Sequence, residues 1–170
     1  MFEKLFRSRT ALRTRPHPFK SRVENRKSEI VLRSDTRQTV AATDCEILIV
    51  DDEAAIRLAL REYLAHRGFA VTCAGEVEEA EALLSTHRYS VAIVDLQLSG
   101  SCGQTGLSVL SGIREKSPDT RTVLLSAHIS PEAERAASSL GVDAVLHKPT
   151  PLSEVAAIVG ELIGQQSFVL

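Results

Sequence analysis

From residue 46 onward the chain alternates short apolar runs with amphipathic stretches. The runs at 47–50, 70–73, 91–94, 122–125 and 144–146 are mostly β-branched or aliphatic, and each is short enough to be one buried strand. Between and after them lie five stretches with helical character, at 54–66, 77–86, 106–115, 131–140 and 152–163. In the first, Ile56, Leu60, Tyr63 and Leu64 recur on one helical face, and Gly68 follows where a left-handed stop is favoured. In the fourth, Ser130 and Pro131 form a cap and first-turn pair, and Gly141 closes the helix. Five strands alternating with five helices predict an α/β fold, a doubly wound parallel sheet with helices on both faces.

Before residue 45 the pattern stops. Residues 1–44 are rich in Arg, Ser and Thr, contain Pro16-His17-Pro18, and keep neither a period of 2 nor one of 3.6. The expected organisation is therefore a disordered N-terminal extension at 1–44, one folded domain at 45–165 and a short tail at 166–170. Charge divides the chain at the same place. The formal net charge of −2 hides eleven Lys and Arg against five Asp and Glu in residues 1–44, about +6, and nine against seventeen in the remainder, about −8.

A length of 170 residues with 44% hydrophobic and 25% charged residues suits one soluble domain with an extension. No apolar run approaches the roughly 20 residues that span a bilayer, and the N-terminus lacks the apolar core of a secretory signal. Phe2, Leu5 and Phe6 fill one side of a single helical turn, too little for an anchor. Cys45, Cys73 and Cys102 are odd in number and have no paired metal or redox spacing, so a reducing, cytoplasmic compartment is expected.

In an open parallel sheet the working site lies beyond the C-terminal ends of the strands. Asp51 and Asp52 follow the first predicted strand, Asp95 ends the third, Ser126 follows the fourth and Lys148 follows the fifth. Singly, each has an ordinary reading: the acids as helix caps, Asp95 as a turn residue, Ser126 bonded to local backbone, Lys148 as a solvated charge. Caps have no reason to converge with a hydroxyl and an ammonium at one rim. Three carboxylates brought together repel, and the natural remedy is a hard divalent cation with oxygen ligands, Mg2+ above all. Such a site suits phosphoryl transfer, with a carboxylate as nucleophile, Lys148 balancing charge and the Ser126 hydroxyl donating to a phosphoryl oxygen.

The segments ILIVDDE, VAIVDLQL, VLLSAH and VLHKP, in that order and spacing, resemble the receiver domain of two-component response regulators from residue 45 to about 163. The resemblance implies a flavodoxin-like sheet of strand order 2-1-3-4-5 and a phosphoacceptor at Asp95. It also implies Mg2+ held by Asp51, Asp52, Asp95 and the backbone carbonyl of Gln97, with phosphoryl-binding and switch roles for Ser126 and Lys148. A cis Lys148-Pro149 bond matches the family pattern, and Gln97 and His128 fall where the family tunes phosphoryl lifetime. By the same resemblance the partner is a sensor histidine kinase or a histidine phosphotransfer protein. The domain is then a signalling phosphoacceptor that catalyses only its own loading and hydrolysis, not an enzyme acting on other substrates.

Three departures stand beside the resemblance. Ser99 replaces the usual proline, and the loop from Gly100 to Gly106 is about three residues longer than the family's. It is not a nucleotide-binding loop, because Gly106 is followed by Leu107 and not by Lys with Ser or Thr. Cys102 lies in it without a basic neighbour to make a reactive thiol. Val145 occupies a position that is often aromatic in the family, so activation cannot be reported there by a moving ring.

No segment after residue 163 resembles an output domain, and the expectation is a single-domain relay, sink or protein-binding switch. The face of the fourth helix, fifth strand and fifth helix is the family's usual contact surface. Two alternatives are a basic-tailed nucleic-acid-binding regulator, which lacks an aromatic stacking platform at 1–44, and an unphosphorylated adaptor, against which the complete acidic set argues.

Overall fold

The computed structural model describes residues 45–98 and 105–166. The expectations for the N-terminal extension, for most of the lengthened loop with Cys102, and for the last four residues lie outside them. The element order is β1 (Glu46–Val50), α1 (Ala54–Ala65), β2 (Ala70–Ala74), α2 (Val77–Thr86), β3 (Val91–Asp95), α3 (Gly106–Lys116), β4 (Arg121–Ser126), α4 (Pro131–Ser139), β5 (Ala144–His147) and α5 (Leu152–Gln166). All strand pairs are parallel, in the order β2-β1-β3-β4-β5.

Period-2 alternation divides the strands between two cores. Leu48, Val50, Ala92, Val94 and Leu124 face the layer of α2, α3 and α4, where Val77, Leu84, Leu110, Ile113 and Ala137 bury against them. Ile47, Ile49, Val91, Ile93, Val123 and Leu125 face α1 and α5, meeting Leu60, Leu64, Val155 and Val159. Most of these strand residues are wholly inaccessible, which is why they read as continuous apolar runs and not as alternating ones.

The punctuation does what its chemistry requires. Gly68 and Gly141 adopt φ of 89° and 67°, the left-handed region where a Cβ is penalised. Ser130 caps α4 by accepting from the Ala133 amide at 3.2 Å, with Pro131 in the first turn. Because β1, β3 and β4 are adjacent and parallel, their C-terminal ends share one edge; the order reverses at β1 and β3, and the crevice opens there.

Candidate functional site

Asp51 follows β1 directly, and all its polar groups are fixed. Its amide donates to the Ala74 carbonyl (3.2 Å), its Oδ1 accepts from the Glu53 amide (2.9 Å) and its Oδ2 accepts from Lys148 Nζ (2.8 Å). Arg57 Nη1 donates to its carbonyl oxygen at 2.5 Å. The ordinary reading of these acids as caps is only partly met: Glu53 is the N-cap of α1 and makes no side-chain cap bond. Asp95 is the last residue of β3, only 5% exposed, and its Oδ2 also accepts from Lys148 Nζ at 2.8 Å. The Gln97 amide donates to Asp95 Oδ1 at 3.2 Å, while the Gln97 side chain is exposed.

Carboxylate oxygens of Asp51, Asp52 and Asp95 all lie within 4.8 Å of one another. At an effective dielectric of about 20, each such pair of charges repels by roughly 3 to 4 kcal/mol. Lys148, on the segment after β5, bridges two of the three. Three carboxylates with one ammonium leave a formal −2, and the donors are all oxygen. The residues thus fit a hard dication in charge and in ligand type.

Burial pushes the Lys148 ammonium down, but the hydrogen bonds and charges of Asp51 and Asp95 outweigh it, and the net shift is upward. The lysine is held charged. The Lys148-Pro149 peptide is cis, as the sequence motif implied. Glu53 Oε1, at 4.0 Å from Nζ and largely exposed, is a weaker third neighbour.

Ser126 reaches the same edge but is turned to its own loop, its buried hydroxyl donating to the His128 carbonyl at 2.6 Å. The Lys148 amide donates to the Ser126 carbonyl at 2.8 Å, tying the two loops together. His128 itself is exposed. Val145 is half-buried and packs on the α3 and α4 side of the sheet, so the position holds a packed aliphatic side chain.

Two contributors escaped the sequence reading. Gly106, the first residue of α3, lies so close to the acceptor that a Cβ would stand 2.0 Å from the Asp95 carbonyl oxygen, and its amide donates to the Leu96 carbonyl at 3.0 Å. The start of α3 therefore packs directly against the acceptor's main chain. The other is Arg57, whose reach to the Asp51 carbonyl no local sequence pattern marks.

The family model of the response regulator receiver domain matches residues 47–160. The chain belongs to the response regulator receiver domain family. Among curated relatives, the transcriptional regulatory protein PmrA of Pectobacterium parmentieri is 34% identical over 118 residues, covering 69% of this chain and 52% of that protein. The chain thus spans about half the length of that relative, and the relatives of this receiver domain are mostly multi-domain regulators. A CheY-like receiver domain protein of Methanospirillum hungatei JF-1 superimposes with a TM-score of 0.69 at 24% identity, over 72% of this chain and 96% of that one, and supports the fold. The response regulator protein TrrA of Thermotoga maritima, solved in complex with Mg(2+)-BeF, is 31% identical with a TM-score of 0.60, over 69% of this chain and 98% of that one.

Receiver domains are signalling phosphoacceptors that bind Mg2+ at the phosphorylation site and interact with histidine kinases or phosphotransfer proteins. No helix among the described residues of this one is long and apolar enough to cross a membrane.

Proposed function

We propose that Asp95 accepts a phosphoryl group from a phosphohistidine of a sensor histidine kinase or histidine phosphotransfer protein, making the chain a cytoplasmic relay or protein-binding switch. The observation that carries this reading is Lys148 Nζ standing 2.8 Å from both Asp51 and Asp95, inside a cluster of three carboxylates. Asp51, Asp52, Asp95 and the Gln97 carbonyl would hold Mg2+, which when bound neutralises charge on the phosphoryl oxygens.

In the forward step an Asp95 carboxylate oxygen attacks phosphorus, the P–N bond to the donor imidazole breaks, and an acyl phosphate forms. In the return step water attacks phosphorus, the P–O bond to Asp95 breaks, and inorganic phosphate leaves. Lys148 releases its hold on the free Asp95 carboxylate and pairs with the phosphoryl oxygens. Ser126, freed from the His128 carbonyl, donates to another of them, and that exchange is the switch: the loop after β4 loses an internal bond when the phosphoryl group gains one. Gln97 and His128, exposed on the two loops that flank the acceptor, tune access of the hydrolytic water.

An apolar groove of about 580 Å3, lined by Ile56, Ala59, Leu60, Leu125 and Leu152, opens beside Lys148 and supports docking of the donor protein there. The folded unit proposed is 45–165, with 1–44 as a basic extension that takes no part in the chemistry.

Phosphoramidate, whose P–N bond stands in for phosphohistidine, tests the reading. With Mg2+ the intact mass is expected to rise by one phosphate, and a chelator or Asp95→Asn is expected to prevent it. A chain that gains no phosphate under these conditions would be an adaptor and not a phosphoacceptor.

A further inference from the structure

We propose that Arg57 is a positioning residue for the metal-binding acidic pair, an inference that rests on the reading of the site given above. Arg57 lies in the first turns of α1 and is only partly exposed. Its Nη1 donates to the Asp51 main-chain carbonyl at 2.5 Å. Three atoms of the guanidinium lie 3.2 to 3.3 Å from where a Cβ on Gly75 would be, so the planar group rests on the bare backbone of the turn between β2 and α2. That turn is itself fixed, the Gly75 amide donating to Glu79 Oε2 at 2.7 Å. Arg57, Gly75, Asp52, Glu76 and Glu79 line one cavity of about 410 Å3.

Asp51 is held at four points: amide, carbonyl and both carboxylate oxygens. A cation taking Oδ2 displaces the Lys148 bond, and the other three then set the direction of the carboxylate. Of those three, only the Arg57 bond comes from a side chain, and it alone reaches from within α1, past its N-cap Glu53, while resting on the β2–α2 turn. Arginine is required because a flat fork can lie on Gly75 and still reach the carbonyl, whereas an ammonium is a single point of charge on a flexible stem. Groups that orient a metal ligand from outside commonly change affinity by about tenfold or more when lost.

The test is Mg2+ titration of the full chain by calorimetry, at a temperature where thermal unfolding shows every variant fully folded, alongside the rate of phosphoryl loading at saturating Mg2+. Arg57→Lys keeps the charge and removes the fork; Arg57→Gln removes both; Gly75→Ala keeps the arginine and presses on it. Each is expected to weaken Mg2+ binding, by about tenfold for the two arginine variants, while loading at saturating Mg2+ changes less than about twofold, since Arg57 touches no reacting atom. Unchanged affinity in Arg57→Lys overturns the proposal, as does tighter binding in Arg57→Gln, which would mean that charge alone matters. If the arginine variants do not fold, Gly75→Ala decides, and unchanged affinity there overturns it. Wild-type protein that neither binds Mg2+ nor loads would instead sink the functional reading.

Discussion

At the scale of the residue, the central fact is one ammonium shared by two carboxylates. Lys148→Met leaves Asp51 and Asp95 buried, close and without their counter-ion, and removing one partner from a buried ion pair costs about 3 kcal/mol or more. We expect urea unfolding to show that loss in Mg2+-free buffer and to show it shrinking when Mg2+ is added, because a dication restores the missing positive charge. The pH dependence follows from the raised Lys148 pKa. A lysine bound more tightly to its proton when folded stabilises the fold fully below its unfolded value of about 10.4, and the contribution is lost as pH rises through the folded value. The wild-type protein without Mg2+ should therefore lose stability on the alkaline side of that value more steeply than Lys148→Met, and equal slopes would contradict the assignment.

Each of these groups was readable in the sequence as a candidate because it sits at the end of an apolar run. Their distances were not. The Ser126 hydroxyl does bond local backbone, as its ordinary reading has it, but that its partner is the His128 carbonyl depends on a loop path that no residue type dictates. Arg57 was invisible for a related reason: its partner is a main-chain carbonyl, and main-chain atoms carry no signature in the sequence.

At the scale of the element, the apolar runs predicted the strands but cut them short where a polar side chain ends them. β3 includes Asp95 and β4 includes Ser126, because pairing is a backbone property: Asp95 lies opposite Leu125 and Ser126 opposite His147. Asp95 and Ser126 are thus set on the ladder itself, which makes their positions rigid, while Asp51, Asp52 and Lys148 stand one or two residues beyond it. Helix ends were legible where a cap announced them. Ser130→Ala should cost about 1 kcal/mol by thermal or urea unfolding, the usual worth of a capping hydroxyl, and leave Mg2+ binding unchanged. Gly106 is the opposite case, since its constraint is not local backbone freedom but contact with the Asp95 carbonyl. Gly106→Ala should displace the start of α3 from the acceptor, destabilise the fold by roughly 2 kcal/mol or more through overpacking, and slow phosphoryl loading; a variant as stable and as active as wild type would show that the start of α3 moves aside at no cost.

At the scale of the whole molecule, two cores on opposite faces of one sheet free its C-terminal edge for chemistry. The parallel sheet with helices on both faces agrees with what the alternation of runs and helices implied, and the sheet order and the match to the receiver domain family agree with what the motif resemblance implied. How the signal leaves the domain is less legible, because Val145 is packed where a mobile ring would otherwise report, and the exchange of the Ser126 bond is the remaining candidate on the same side.

The central claim is that Asp95, among seventeen acidic residues after position 44, is the one that carries phosphate. It is tested most directly by loading the full chain with acetyl phosphate and Mg2+, digesting it, and locating the added phosphate by mass spectrometry. A single phosphoryl group on the peptide containing Asp95, absent in Asp95→Asn, is the predicted result; phosphate on another residue, or on none, contradicts the account.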